Sequence, residues 1–132
     1  MIVGISRDRL SSVWHHAEPR LRKALNRVDY PYSIDEILGK IDASDMQLWM
    51  THDLKMAWVT QILVFPRYKV FEVVAGGGEG IDDWLVASDE LFTAFASHHG
   101  CKYVECQGRK GWQRVTEKLG YVPVWTTIRK EV

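Results

Sequence analysis

Residues 73–85 read VVAGGGEGIDDWL, and the parsing of this stretch decides the fold. Lys69 to Ala75 has the β-branched and aromatic content of a strand. The glycines end that strand, and a helix begins near Ile81. Asp82 and Asp83 in its first turn suit the helix dipole. Ile81, Trp84, Leu85, Ser88, Leu91, Phe92 and Phe95 recur at helical spacing and define an inner face, and Gly100 stops the helix. Lys102 to Cys106 then reads as another strand. Residues 69–106 therefore form a strand–helix–strand unit, whose crossover should be right-handed.

The glycines also carry a chemical option. Gly76, Gly77, Gly78, Glu79 and Gly80 precede a helix, and glycine permits positive φ, so successive N–H groups can converge on one anion. The helix N-terminus behind them would favour the same anion. The alternative is a turn that merely ends a strand. Glu79, Asp82 and Asp83 weigh against a pyrophosphate ligand on simple electrostatic grounds.

Downstream, GCKYVECQGRKGWQRVTEKLGY (residues 100–121) gives a strand, a turn at Gly108, a helix over 112–119 and Gly120 past its end. Val122 to Val132 reads as a last strand. Upstream, Ile2 to Ile5 is a short strand. Ser11 and Ser12 can cap a helix to about Arg27, with Pro19 expected to kink or split it. Ser33-Ile34-Asp35-Glu36 is a capping box opening a second helix with Ile34, Ile37, Leu38 and Ile41 inward. Gln47 to Thr51, Lys55 to Phe65 and the strand from Lys69 form a meander. The order is β-α-α-β-β-β-α-β-α-β, a mixed α/β sheet with helices on both faces in one domain over residues 1–132.

Lys+Arg and Asp+Glu both number 17 in 132 residues, so no basic excess points to nucleic acid. No apolar run approaches the roughly 20 residues of a membrane span. The apolar part of MIVGISRDRL is too short for a signal peptide. Cys101 and Cys106 are separated by an odd number, which sends them to opposite faces of one strand and argues against a mutual disulfide. Reduced thiols in a cytoplasmic setting are the simplest reading.

The element order, GCKYVEC as a fifth strand and TEKLGY as a helix ending resemble the GNAT (Gcn5-related N-acetyltransferase) superfamily. The early Trp and Pro helix, QLW and GRKGW also look like small GNAT-like proteins encoded by tailed bacteriophages, which would place the chain in the cytoplasm of the host. The resemblance implies acetyl-CoA (or CoA) as cofactor and a small-molecule or protein amine as acceptor. A homodimer and a phage or host protein partner are assemblies it allows, with neither membrane nor nucleic acid among the partners. Its phosphate loop, Q/R-x-x-G-x-G/A, is matched at Gly78 and Gly80, whereas its first position holds Ala75. The Tyr that often serves as general acid falls on Thr116, a poor proton donor, and a common Asn falls on Arg109.

Under that resemblance, backbone amides near Val74 would polarise a thioester carbonyl, and Val74 to Gly80 would hold the cofactor arm. Glu72, a carboxylate on a strand covered on both faces, suits a general base if it faces a cleft, and Glu105 is its rival. Either could instead be an ion-paired structural residue. Arg109 and Lys110 gather cations near a helix start, and Trp112 either covers the cofactor or plugs its space. Gly108 and Gly111 would let the chain turn tightly and the helix approach the sheet. Lys110, Arg114 and Lys118 form a stripe that is either a phosphate contact or a solvated face. Trp49 and Trp58 either wall an acceptor pocket or fill the core. Two functions lead, acyl transfer by direct attack and a non-catalytic GNAT-like protein of virion assembly or host-factor binding; a third, a nucleic-acid module using the Lys110, Arg114 and Lys118 stripe, is opposed by the neutral charge.

Overall fold

The computed structural model describes residues 1–108 and 110–132, with only the backbone course at Lys110. The elements are β1 (Ile2–Gly4), α1 (Arg7–Leu25), α2 (Ile34–Asp42), β2 (Gln47–Thr51), β3 (Met56–Val64), β4 (Lys69–Gly78), α3 (Ile81–His98), β5 (Tyr103–Cys106) and α4 (Lys110–Glu117). The five strands lie in sequence order, antiparallel up to β4, with β5 parallel to β4. That last pairing is the crossover that α3 carries across the sheet.

Two cores follow from strand alternation. On one face Leu10, Val13, Ala17 and Leu21 of α1 and Ile37 and Ile41 of α2 pack on Leu48, Met50, Ala57, Val59 and Val74. On the other, Phe92 and Ala96 of α3 pack on Trp49, Met56, Trp58 and Phe71. The capping box forms in full: the Glu36 N–H donates to Ser33 Oγ at 3.2 Å, and the Ser33 N–H donates to Glu36 Oε1 at 2.9 Å. Those bonds hold the Glu36 carboxyl below its usual range.

Three expectations need correction. The first helix starts at Arg7, after Ser6, and runs through Pro19 unbroken. Packing of its apolar face outweighs the one hydrogen bond that proline removes. Next, β4 does not end at Ala75. It continues to Gly78, pairing Gly76, Gly77 and Gly78 with Trp58, Ala57 and Met56. Finally, residues 122–132 join no strand. Their β-prone composition needs a partner edge to act, and among the described residues they find none. No helix among the described residues is long and apolar enough to cross a membrane.

Candidate functional site

The functional geometry begins at a register slip. Val59 pairs with Ala75 and Thr60 with Val73, so Val74 is an extra residue on β4, a β-bulge. One residue earlier, β5 stops pairing, since Val73–Cys106 is the last matched pair. Bulges bend a strand and increase its twist. Beyond Val73, β4 is paired on its β3 side only, and the space on its other side is a cleft of about 1020 Å³. Its walls are the end of β4, the first half of α3, the C-terminal half of α1 and the inner side of α4.

Most of the residues expected at the cofactor meet here. Val74, Ala75, Gly76, Gly77, Gly78 and Glu79 line one wall, and Trp112 lines another. Gly80 sits at the N-cap of α3 with φ +78°, where a Cβ would meet nothing nearer than Asp83 Oδ2 at 3.5 Å. The three preceding glycines have packing reasons of their own. A Cβ on Gly76 would lie 2.8 Å from the Trp58 ring, one on Gly77 2.5 Å from the Arg20 carbonyl oxygen, and one on Gly78 2.1 Å from the Lys55 carbonyl oxygen. That Lys55 oxygen accepts both the Arg20 Nε–H at 2.8 Å and the Glu79 N–H at 3.1 Å. Arg109 and the Lys110 side chain lie outside the described residues.

The α4 wall is unlike what the turn sequence implied. Trp112 folds back over Gly108, whose Cβ position would be 2.7 Å from the indole. A Cβ on Gly111 would meet nothing within 4 Å, so Gly111 is not where helix and sheet approach closely. Thr116 is buried, and its hydroxyl donates to the Trp112 carbonyl at 2.7 Å. That bond removes it as a proton donor to a ligand. Arg114 and Lys118 are exposed.

Glu72 and Glu105 are register partners on β4 and β5, and neither lines the cleft itself. Glu72 is buried and accepts the Gln61 Nε2–H at 2.9 Å. It acts on Tyr30, whose pKa is pushed up to about 12, first by burial and then by the Glu72 carboxylate. Of the two tryptophans, Trp49 belongs to the core, with its indole N–H donating to Thr60 Oγ1 at 2.8 Å. Trp58 is buried as well and also borders the cleft.

Sequence reasoning missed three features. Tyr121 and Asp89 both line the cleft, with the Tyr121 hydroxyl donating to Asp89 Oδ1 at 2.7 Å. Burial, then that bond and the Asp89 charge, hold the phenol protonated well above its ordinary range. No local motif announces a contact 32 positions apart. Cys106 borders the same space, and burial pushes its thiol up, with the Asp89, Glu105 and Glu72 carboxylates adding to it. Arg20, Lys23 and Arg27 of the first helix and the turn after it also reach the cleft. Their spacing of three and four was visible as a helical stripe, although nothing in the sequence placed it opposite the glycines.

The sequence matches no family model and none of the curated proteins. Solved structures do match. A predicted acetyltransferase of Clostridium acetobutylicum, solved with acetyl-CoA, superposes with a TM-score of 0.70 at 11% identity, over 98% of this chain and 95% of its own. A GCN5-related N-acetyltransferase of Ralstonia eutropha JMP134 gives 0.67 at 16% identity, over 100% and 97%. Glucosamine-6-phosphate N-acetyltransferase of Arabidopsis thaliana gives 0.65 at 13%, over 99% and 97%.

The fold is that of the GNAT acetyltransferases.

In this GNAT fold, the bulge at Val74 and the parting of β4 from β5 stand at one level of the sheet. The cleft they open runs from the α1 face to the α3 face, so a ligand in it would touch both layers. The charges on its walls are mixed. Arg20, Lys23 and Arg27 stand toward α1, while Glu79, Asp82 and Asp89 stand toward α3.

Proposed function

We propose that this protein is an N-acyltransferase that uses a coenzyme A thioester, with an amine as acceptor. One observation carries the reading: β4 loses its β5 partner at Val73, directly before the Val74 bulge, beside a cleft of about 1020 Å³. A strand paired on one edge only leaves alternate N–H and C=O groups without protein partners on its other edge. Such an edge suits the amide-bearing arm of coenzyme A. The first turn of α3 and Gly80, which has room beside it, suit a phosphate. Arg20, Lys23 and Arg27 offset the acidic residues at that helix start. The residues therefore fit the group, which would supply an activated acyl carbon.

The chain's own part is positioning and proton handling. Backbone N–H groups near Val74 would polarise the carbonyl under attack. Glu72 would take the proton of the amine through a water, since it lies beside the cleft and not on its wall. Thr116 is spent on the Trp112 carbonyl and Tyr121 on the Asp89 carboxylate, so the proton of each hydroxyl is already committed within the protein.

A second reading has its own observation. Trp112 stands in the cleft over Gly108 and narrows it, which favours a GNAT-like protein that has given up acyl transfer for binding a phage or host protein. Calorimetric titration with CoA and acetyl-CoA separates the two. The transferase reading expects binding, and a ligand at 100 times its dissociation constant should stabilise the fold by about 2.7 kcal/mol. No binding at millimolar CoA overturns it. In the same titration Trp112→Ala should weaken CoA if the indole covers the cofactor; tighter binding identifies the indole as a plug.

A further inference from the structure

Building on the transferase reading above, we infer that the paired carboxylates of Glu72 and Glu105 bind an alkyl diamine, and that this second cationic centre is what the acceptor amine must carry.

The two glutamates are register partners on neighbouring parallel strands. Adjacent strands lie about 4.8 Å apart, and partners point to the same face of a sheet. Like charges set opposite one another repel, so a sheet that keeps them gains from a counter-ion. Among the described residues neither glutamate takes part in an ion pair. Two lysines flank this face and are held by aromatic rings instead. Lys40 Nζ stands 4.8 Å from the centre of the Tyr32 ring, and Lys102 Nζ 5.4 Å from that of Tyr103.

Glu72 is the less tolerant of the two. It is only 8% exposed, and a buried carboxylate without a partner is costly. Its Oε1 accepts the Gln61 Nε2–H at 2.9 Å, while Oε2 accepts nothing among the described residues. No enclosed side-chain oxygen in that set lacks a partner, so Oε2 opens onto space that a ligand can reach. That space adjoins the cleft, because the next register pair, Val73 and Cys106, lines it. Tyr30 is near enough to feel the Glu72 carboxylate, and burial with that charge keeps its phenol neutral. It therefore offers a ring face to a cation and adds no charge of its own.

The groups present suit an ammonium better than a metal ion. Among the described residues no three ligating side chains gather around a metal position. An ammonium needs hydrogen-bond acceptors and a ring face, and both are here. Two carboxylates call for two positive centres. With the reacting amine at Glu72 and a far ammonium at Glu105, both charges are met. The reacting ammonium gives one proton to Glu72 through a water. Its nitrogen then bonds to the thioester carbonyl carbon, the C–S bond breaks, and the nitrogen's second proton leaves with the sulfur as free thiol. The far ammonium stays charged throughout.

The test is calorimetric titration of the full chain, with and without CoA, using three four-carbon amines: 1,4-diaminobutane, 1-aminobutane and 4-aminobutanoate. The expected order of affinity is diamine, monoamine, amino acid. The diamine should lead the monoamine by about 10-fold to 100-fold, the worth of one charge-assisted hydrogen bond. In Glu105→Gln that ratio should fall to near one, which a merely structural glutamate would not produce. Turnover with acetyl-CoA should rank the amines in the same order. Equal binding of diamine and monoamine overturns the proposal, as does a ratio that survives Glu105→Gln. Tighter binding of Mg²⁺ than of the diamine overturns it by making the pair a metal site. A blocked Lys-Arg dipeptide that outranks the diamine overturns it in favour of a basic protein segment. The expected binding ratio without acetylation of any amine supports the site and overturns the transferase reading, so the two fail separately.

Discussion

Tyr121 donates a 2.7 Å hydrogen bond to Asp89 and thereby ties the end of the chain's last helical turn to the middle of α3. Both residues line the cleft, as does the end of β4. A neutral phenol held by a carboxylate has a measurable signature.

That signature is alkaline. Tyr30 is pushed up to about 12, and Tyr121 is raised further in the same direction. Both therefore keep their protons in the folded protein above the ordinary phenol pKa of about 10. Folded pKa values above the unfolded one mean that this contribution to stability is complete below about pH 10 and fades as pH rises through about 12. In a tyrosinate absorbance titration, at least two of the five tyrosines should ionise late, or only as the protein unfolds. Tyr121→Phe should remove one late ionisation and cost about 1 kcal/mol from the lost hydrogen bond. A single wave containing all five near pH 10 would contradict the buried pair.

Glu72→Gln tests the base. The amide preserves size and can still bond to Gln61, so the fold should tolerate it. Turnover with an acyl-CoA and a small amine panel should fall by roughly 10²–10⁴, while CoA affinity stays near that of the parent. Full activity in this variant, with loss in Glu105→Gln, would move the role to the neighbouring strand.

Gly77→Ala should destabilise without touching the chemistry. The new Cβ would approach the Arg20 carbonyl oxygen to 2.5 Å, and a backbone atom of a packed helix cannot step aside. Overpacking of this kind costs about 1–3 kcal/mol. Gly39→Ala is the matched control. Its site in α2 has nothing within 4 Å, so alanine should stabilise by roughly 0.5–1 kcal/mol. Thermal melts that shift in opposite directions are the expected outcome. Equal shifts would mean that α1 does not pack on β4 as closely as described. Gly78→Val is a poor probe of phosphate binding for the same reason, because a side chain there strikes Lys55 before any ligand.

Where the sequence was legible, the signal was local or periodic. Ser33 and Glu36 announced a helix start with two side chains three residues apart, and the helix starts there. The alternation through Met56–Val64 and the helical spacing from Ile81 gave β3 and α3 nearly to the residue. Illegible features depended on what approached from elsewhere. Gly76 and Gly77 looked like the end of a strand because glycine disfavours strands. They lie within β4 because the Trp58 ring and the Arg20 carbonyl occupy the places of their side chains. The bulge at Val74 leaves no compositional trace, and Tyr121 had no neighbour in sequence to mark it. At Val122–Val132 the composition was that of a strand, but a strand is a pairing, and pairing is not a property of one segment.

The Lys55 carbonyl oxygen holds three pieces of the chain in register: its own strand entry, α1 through Arg20, and the β4–α3 junction through the Glu79 N–H. An acceptor that belongs to the main chain cannot be lost by substitution. Position 55 is therefore free to drift among residues that keep the backbone course, while the burden of inheritance falls on Arg20. Descendants of this sequence should vary at 55 and hold arginine at 20, whatever acceptor their clefts come to prefer.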